Sequence, residues 1–372
     1  MKLKIAVLAG DGVGPEVCEQ GVKVLKAIEK KYKHQFTFTH GLVGGSALDA
    51  KGVPLPDETL QLCLNSDAIL FGAIGDPKYE NSPDAKIRPE EGLLKLRKEL
   101  GLYANIRPIK VFEPLIHKSP IKEKVIKNTD FIIFRELTGG IYYGDKSTSA
   151  DGKTASDTCS YSEYEIDRVA HMAFKSAKSR RKKLTLIDKA NVLETSRLWR
   201  KRVKELAKQY PEVVVDYLYV DNATMKIIVN PREFDVILTD NLFGDILSDE
   251  ASVISGSIGL LASTSIGEKS VLFEPIHGSF PKMKGKNLAN PLATILSAAL
   301  LLEHFNLYEE ADAIKNAVEK SIEHHITTPD INSTKKFAHT STVGEFISEY
   351  IIDKKNILYH VENISLGQST II

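Results

Sequence analysis

From Leu3 onward, short apolar runs alternate with amphipathic stretches, and that alternation limits the fold more than any other feature of the chain. Residues 3–9, 36–42, 68–71, 103–111, 131–136, 184–188, 213–220 and 236–238 read as strands, with another from Val271. Between them, helical spacing marks 15–32, 56–65, a helix opened by Pro89, 163–180, 193–209, 291–304 and 308–325. Such a succession argues an α/β fold with a largely parallel sheet. The chain has 372 residues, more than one hydrophobic core comfortably organises, so two domains are expected. The glycines of GDGVGP at 10–15 do not make a dinucleotide fingerprint, because the third glycine of that pattern falls at Pro15. A turn is the better reading there.

Charge and cysteine usage exclude several classes of function. Lys plus Arg and Asp plus Glu number 49 each, so no net field recruits nucleic acid or an anionic membrane. The basic cluster KSRRKK at 178–183 has no interleaved aromatics and reads as a solvated helix end. Cys18, Cys63 and Cys159 show no paired spacing, which suits a reducing cytoplasm. The apolar run in MKLKIAVLAGDG is too short for a signal peptide or a membrane span, so a soluble intracellular protein is expected. The stretch 139–160 is polar, lacks helical periodicity and reads as an exposed arm that a partner subunit would cover.

The chemistry-bearing groups centre on VILTDNLFGDILSD at 236–249. An apolar strand there turns into a helix, on which Asp245 and Asp249 project from one face four residues apart. With Asp221 behind another strand, three oxygen donors without nearby Cys or His point to Mg²⁺ or Mn²⁺. Spacing alone leaves open solvated aspartates paired with lysines. Arg97, Arg107 and Arg135 stand at strand or helix ends; converging, they would suit a di-carboxylate, and apart they are ordinary surface arginines. Tyr142 and Lys189 lie just past strands, where an α/β protein places proton donors and acceptors as well as structural residues. The loop after the strand at Val271 holds His277, Gly278 and Ser279, with Asn290 before a helix, and reads equally as binding or structure.

Six stretches in order resemble the isocitrate/isopropylmalate dehydrogenase family of β-hydroxyacid oxidative decarboxylases, over the chain up to about Tyr350. They are GDGVGPE at 10–16, RPEEGLLKLRKELGLYANIRP at 88–108, RELTGGIYYG at 135–144, DKANVLETSRLWR at 188–200, DNLFGDILSDEAS at 240–252 and EPIHGSFP at 274–281. The resemblance implies a two-domain fold with a mixed sheet, not a Rossmann fold. One discontinuous nucleotide-binding domain is expected from 1–102 and 256–372. A central substrate, metal and dimerisation domain is expected at 103–255, with its arm at about 139–160. The implied reaction is NAD-dependent, metal-assisted oxidative decarboxylation of 3-isopropylmalate to 4-methyl-2-oxopentanoate in leucine biosynthesis, by a cytoplasmic homodimer with shared active sites.

By the same resemblance, Arg97, Arg107 and Arg135 hold the malate carboxylates, and Asp221, Asp245 and Asp249 hold the metal. Lys189 is the base, its pKa depressed by arginines and metal, and Tyr142 is the acid. Lys189 and Asp221, the latter also a substrate-binding residue, are expected to reach the substrate from the neighbouring subunit. Leu93 and Leu94 offer an apolar surface where isocitrate-using relatives carry a serine. Glu90, Glu274, His277, Gly278, Ser279, Phe280, Lys282 and Asn290 are expected to line the cofactor. Lys282 stands where NAD-using members carry an aspartate. Met283 replaces the tyrosine that accompanies such a lysine in NADP-using relatives, so NAD is the expectation. A tartrate/malate-type or homoisocitrate enzyme stays open as an alternative. So does a non-catalytic regulatory paralogue, though the presence of Asp221, Asp245, Asp249, Lys189 and Tyr142 argues against it.

Overall fold

The structure is a computed structural model that describes residues 1–80, 87–332 and 336–354. The sequence's C-terminal tail beyond Lys354 lies outside the described residues. The strands are β1 (Lys2–Gly10), β2 (Gln35–His40), β3 (Ala68–Ala73), β4 (Ala104–Lys110), β5 (Asp130–Glu136) and β6 (Lys146–Thr148). They continue with β7 (Ala155–Asp157), β8 (Lys183–Asp188), β9 (Val214–Tyr219), β10 (Val236–Thr239), β11 (Ala262–Ile266) and β12 (Val271–Pro275). The chain forms two compact units: Met1–Leu96 with Ile258–Thr264 and Ser270 onward, and Arg97–Ser257 with Ser265–Lys269. Within β11 the chain passes from the first unit to the second.

In the first unit β1 pairs in parallel with β2 and β3, and β12 pairs in parallel with β3. β3, AILFGA, is buried at every position, as a parallel strand covered on both faces must be. The helix Gly14–Tyr32 starts with Pro15, whose missing N–H has no cost in a first turn, and buries Val17, Val24, Leu25 and Ile28. The helix Leu292–His304 is apolar nearly all round and correspondingly lies within the core. The helix Thr340–Ile352 packs on Gly14–Tyr32. Neither that helix nor β11 is legible in the sequence: TSTVGEFISEYII is rich in β-branched residues, and ASTSI is mostly small and polar.

In the second unit β5, β10, β8 and β9 run parallel, whereas β4 is antiparallel to β5, which makes the sheet mixed. The helix Glu163–Ser179 begins with a capping box, Ser162 and Glu165 each satisfying the other's backbone N–H. It joins the helix Glu194–Ala207 in covering the sheet, with Ile166, Phe174, Trp199 and Val203 against Leu184, Leu186, Val236 and Leu238. Each such fully buried side chain contributes about 1.5–3 kcal/mol relative to exposure. The basic run at 178–183 is more than a solvated helix end: Arg180 and Arg181 both pair with Asp235, which is 1% exposed. β6 and β7 form a small antiparallel hairpin inside 139–160, every residue of both strands exposed.

Candidate active site

The second unit gathers its charged side chains at the ends of β4 and β5. Arg135, at the end of β5, stands opposite Asn105 of β4 and beside Thr239 of β10. Arg107 lies two residues beyond Asn105, so the pleat points it to the same face. The chain leaving β10 turns at Asp240, whose carboxylate accepts the Phe243 N–H and starts the helix Asn241–Ser252. That helix carries Asp245 and Asp249 one turn apart, past the two arginines.

Asp245 is the hub. Its Oδ1 accepts from Arg135 Nη1 and lies 3.7 Å from Arg107 Nη2, while its Oδ2 accepts the Tyr142 hydroxyl at 3.0 Å. Asp249 Oδ1 lies 3.4 Å from Arg107 Nη1. The aspartates therefore pair with arginines rather than with the lysines of the simpler expectation. Arg135 is 2% exposed at its side chain and Arg107 8%. Such depth is tolerated because each guanidinium is hydrogen-bonded and paired with a carboxylate. Arg135 Nε and Nη2 donate to Asn241 Oδ1 at 3.0 and 2.7 Å; Arg107 Nε donates to Asn105 Oδ1 at 2.6 Å and its Nη1 to Ser248. Arg97 belongs to the same unit and acts electrostatically on both Arg135 and Asp245.

Burial pushes the Asp245 carboxyl up, but Arg135 and Arg107 outweigh it and hold the group below the usual carboxylate range. Asp249 goes the other way: burial and the neighbouring Asp245 charge raise it, and Arg107 offsets only part. Burial, with the Asp245 charge and hydrogen bond added, pushes the Tyr142 phenol up to about 12, so at neutral pH it carries its proton. Of the proton donor and acceptor roles the sequence left open for this tyrosine, a phenol so raised suits the donor.

Lys189 and Asp221 form a separate pair, the ammonium donating to Asp221 Oδ1. Asp221 is held below its ordinary range chiefly by that bond. Within one chain the neighbour of Lys189 is thus an aspartate. Among the described residues no three His, Cys, Asp or Glu side chains gather as a metal site, so a single chain does not bring Asp221 to Asp245 and Asp249. The oxygen chemistry nevertheless fits a hard cation. Two carboxylates stand one turn apart, with the Asp249 side chain 63% exposed, and supply part of a coordination shell.

In the first unit the turn 10–14 is clamped to the end of β3 and to the loop after β12. Asp11 N–H donates to Ala73 O at 2.8 Å and Val13 N–H to Ser279 O at 2.7 Å. Gly12 has φ +57°, and a Cβ there would lie 1.9 Å from Ser279 O. Glu274 and Ser279 are buried, whereas Gly278, Phe280 and Lys282 are exposed. His277 Nδ1 lies 3.0 Å from Gly278 O, and its Nε2 is buried without a partner among the described residues. A buried ring nitrogen left over beside Gly278, where a ligand can approach the backbone, fits a cofactor that supplies the missing bond. Asn290 is engaged at both amide ends, donating to Asp330 at 2.9 Å and accepting the Leu292 N–H at 3.0 Å. Leu93 and Leu94, half-buried, precede Arg97 by four and three residues on the helix Pro89–Glu99, which puts them on one side of it; Glu90 lies a turn earlier.

The sequence reading missed Asn241, Asn105 and Ser248, which fix the arginines. Asn241 sits inside the quoted aspartate stretch, but nothing in its spacing signals a partner 106 residues earlier.

Guanidinium groups ranged against paired carboxylates, with a protonated phenol at hand, make a site of the kind that suits a small polyacid beside a hard cation. The chain belongs to the isocitrate/isopropylmalate dehydrogenase family, matching it over residues 4–347. It is 52% identical over 353 residues to a 3-isopropylmalate dehydrogenase of Bacteroides fragilis, covering 94% of this chain and 99% of that one. A 3-isopropylmalate dehydrogenase of Aquifex aeolicus is 53% identical over 336 residues, covering 89% of this chain and 92% of the relative. Among solved structures, isocitrate dehydrogenase from Methylococcus capsulatus superposes with a TM-score of 0.85 at 33% identity, covering 94% of this chain and 99% of that one. Among the described residues no helix is long and apolar enough to cross a membrane.

Proposed function

We propose that the chain catalyses the NAD-dependent oxidative decarboxylation of 3-isopropylmalate to 4-methyl-2-oxopentanoate, a step toward leucine, as a cytoplasmic homodimer. The observation that carries the reading is Asp245, faced at once by Arg135, Arg107 and the Tyr142 hydroxyl. Relatives about half identical over nearly their whole length bear the name of this activity, which supports the same substrate.

Arg97, Arg107 and Arg135 bind the two malate carboxylates, for which fixed guanidinium forks are suited. Asp245 and Asp249 of one chain, with Asp221 of a second, hold Mg²⁺ or Mn²⁺. Glu90, Glu274, His277, Gly278, Ser279, Phe280, Lys282 and Asn290 line the cofactor in the first unit. When bound, the cation would polarise the C2 oxygen and the nicotinamide would accept the hydride. Lys189, which can act as the base only as the neutral amine, receives the proton of the C2 hydroxyl with Asp221 beside it. Tyr142 returns a proton to the carbon that loses CO₂, a role suited to a phenol kept protonated at neutral pH. Leu93 and Leu94 present an apolar surface to the isopropyl group, against which the extra carboxylate of isocitrate would be poorly solvated.

The need for a second chain is supported by exposed apolar residues on the helices Val220–Val229 and Asn241–Ser252, which also carry the aspartates. Met225 is 61%, Val229 71% and Ile246 52% exposed. Burying them against a second copy would bring Asp221 and Lys189 of one subunit to the arginines of the other. The test is reduction of NAD and of NADP by purified protein with Mg²⁺ or Mn²⁺ and 3-isopropylmalate, isocitrate or tartrate. Turnover with 3-isopropylmalate and NAD is expected to dominate. Preference for isocitrate overturns the substrate, and preference for NADP would give Lys282 the 2′-phosphate instead.

A further inference from the structure

Two tyrosines follow one another at the 3₁₀ turn Gly140–Tyr142, and their hydroxyls have opposite fates. That of Tyr142 donates to Asp245. That of Tyr143 is buried from solvent and has no hydrogen-bond partner among the described residues. Folded proteins keep few such groups, because a buried hydroxyl gives up its bonds to water and receives nothing back.

The surroundings of this hydroxyl indicate what would complete it. Burial raises the Tyr143 phenol; Arg97 and Arg135 pull it down and Glu136 pushes it up, so all three charges act on it. Glu136 is already occupied: its Oε1 accepts the Thr138 N–H at 2.8 Å and hydroxyl at 2.9 Å, and its Oε2 accepts the Gly139 N–H at 2.8 Å. The two arginines have no lone pair to offer a hydroxyl. As cations they would attract an anion toward the same neighbourhood. The Tyr143 and Gly144 N–H groups both donate to Gly140 O, at 3.2 and 3.1 Å, which fixes the backbone from which the ring projects.

We infer that Tyr143 is a further substrate-binding residue, its hydroxyl donating to a carboxylate oxygen of the diacid held by Arg97 and Arg135. This rests on the reading above that these arginines bind a malate-type diacid, and adds a neutral donor to a site otherwise built from cations. It contrasts with Tyr142, whose loss should lower kcat.

The test is Tyr143→Phe in the full-length protein, which removes the oxygen and keeps the ring. Without substrate, the variant is expected to melt at or above the wild-type temperature, because an unpaired polar atom has gone. With NAD saturating, KM for 3-isopropylmalate is expected to rise roughly tenfold or more, the range for a lost bond to a charged group. kcat and the KM for NAD should stay near wild type, and the thermal shift induced by substrate should shrink. An unchanged KM overturns the inference. So does a lower melting temperature without substrate, which would mean the hydroxyl has a protein partner. Wild-type protein inert toward 3-isopropylmalate overturns the underlying substrate reading instead, so the two failures are distinguishable.

Discussion

Replacing Gly244 by alanine tests whether the helix Asn241–Ser252 sets the position of Arg135. A Cβ at Gly244 would lie 2.6 Å from Arg135 Cγ, 2.8 Å from its Cβ and 3.1 Å from its Cδ. Ordinary contact begins near 3.4 Å, so the closest of these must lengthen by about 0.8 Å. Arg135 has little room to yield. Its side chain is 2% exposed, two of its nitrogens donate to Asn241 and the third to Asp245. Alanine gains about 1 kcal/mol of helix propensity over glycine. Overpacking a filled interior costs about 1–3 kcal/mol. A net loss on the order of 1 kcal/mol is therefore expected. The kinetic effect should be larger, because displacing a substrate-positioning group by roughly an ångström can cost about 10²-fold. The assay is kcat/KM for 3-isopropylmalate beside a thermal melt of the same preparation. A variant with wild-type kcat/KM that also melts higher would refute the argument, since the glycine would then be replaceable without moving Arg135.

Three further outcomes are expected. Gly12→Ala, at φ +57° and 1.9 Å from Ser279 O, should raise KM for NAD and leave KM for 3-isopropylmalate unchanged; equal changes in both would contradict the cofactor assignment. Asp245→Asn should weaken Mn²⁺ binding at least about tenfold, read by calorimetric titration, because it removes a charged oxygen donor; unchanged affinity would remove Asp245 from the metal site. Burial pushes Asp240 up to about 7, so its contribution to stability is fully present below about pH 4 and is lost as pH rises through 7. Asparagine keeps the acceptor for Phe243 N–H without that ionisation, so Asp240→Asn should gain on wild type in urea unfolding between pH 4 and 8; a pH-independent difference would contradict this.

Much of the fold was written in local pattern. The run VILT is buried at all four positions of β10, and the apolar stretch ending at His304 forms a core helix, because continuous hydrophobicity has few other solutions. β11 escaped notice because its small polar residues are held by neighbouring strands rather than by their own preference. The helix Thr340–Ile352 escaped for a related reason: Gly344 lies so close to Gln20 that an added Cβ would meet its Oε1 at 2.3 Å, a contact no local window contains.

The site divides in the same way. Sequence alone determined that Asp245 and Asp249 share a helix face, since four residues make about one turn, and family motifs marked the arginines and Tyr142. Only the tertiary structure decided who meets whom. The pairing of β4, β5 and β10 brings Arg107 and Arg135 to a helix more than 100 residues away. It satisfies the Tyr142 hydroxyl and leaves that of Tyr143 without a partner in the described chain. Helical periodicity is a property of neighbours along the chain, whereas the ionisation and orientation of a buried group depend on whatever packs against it.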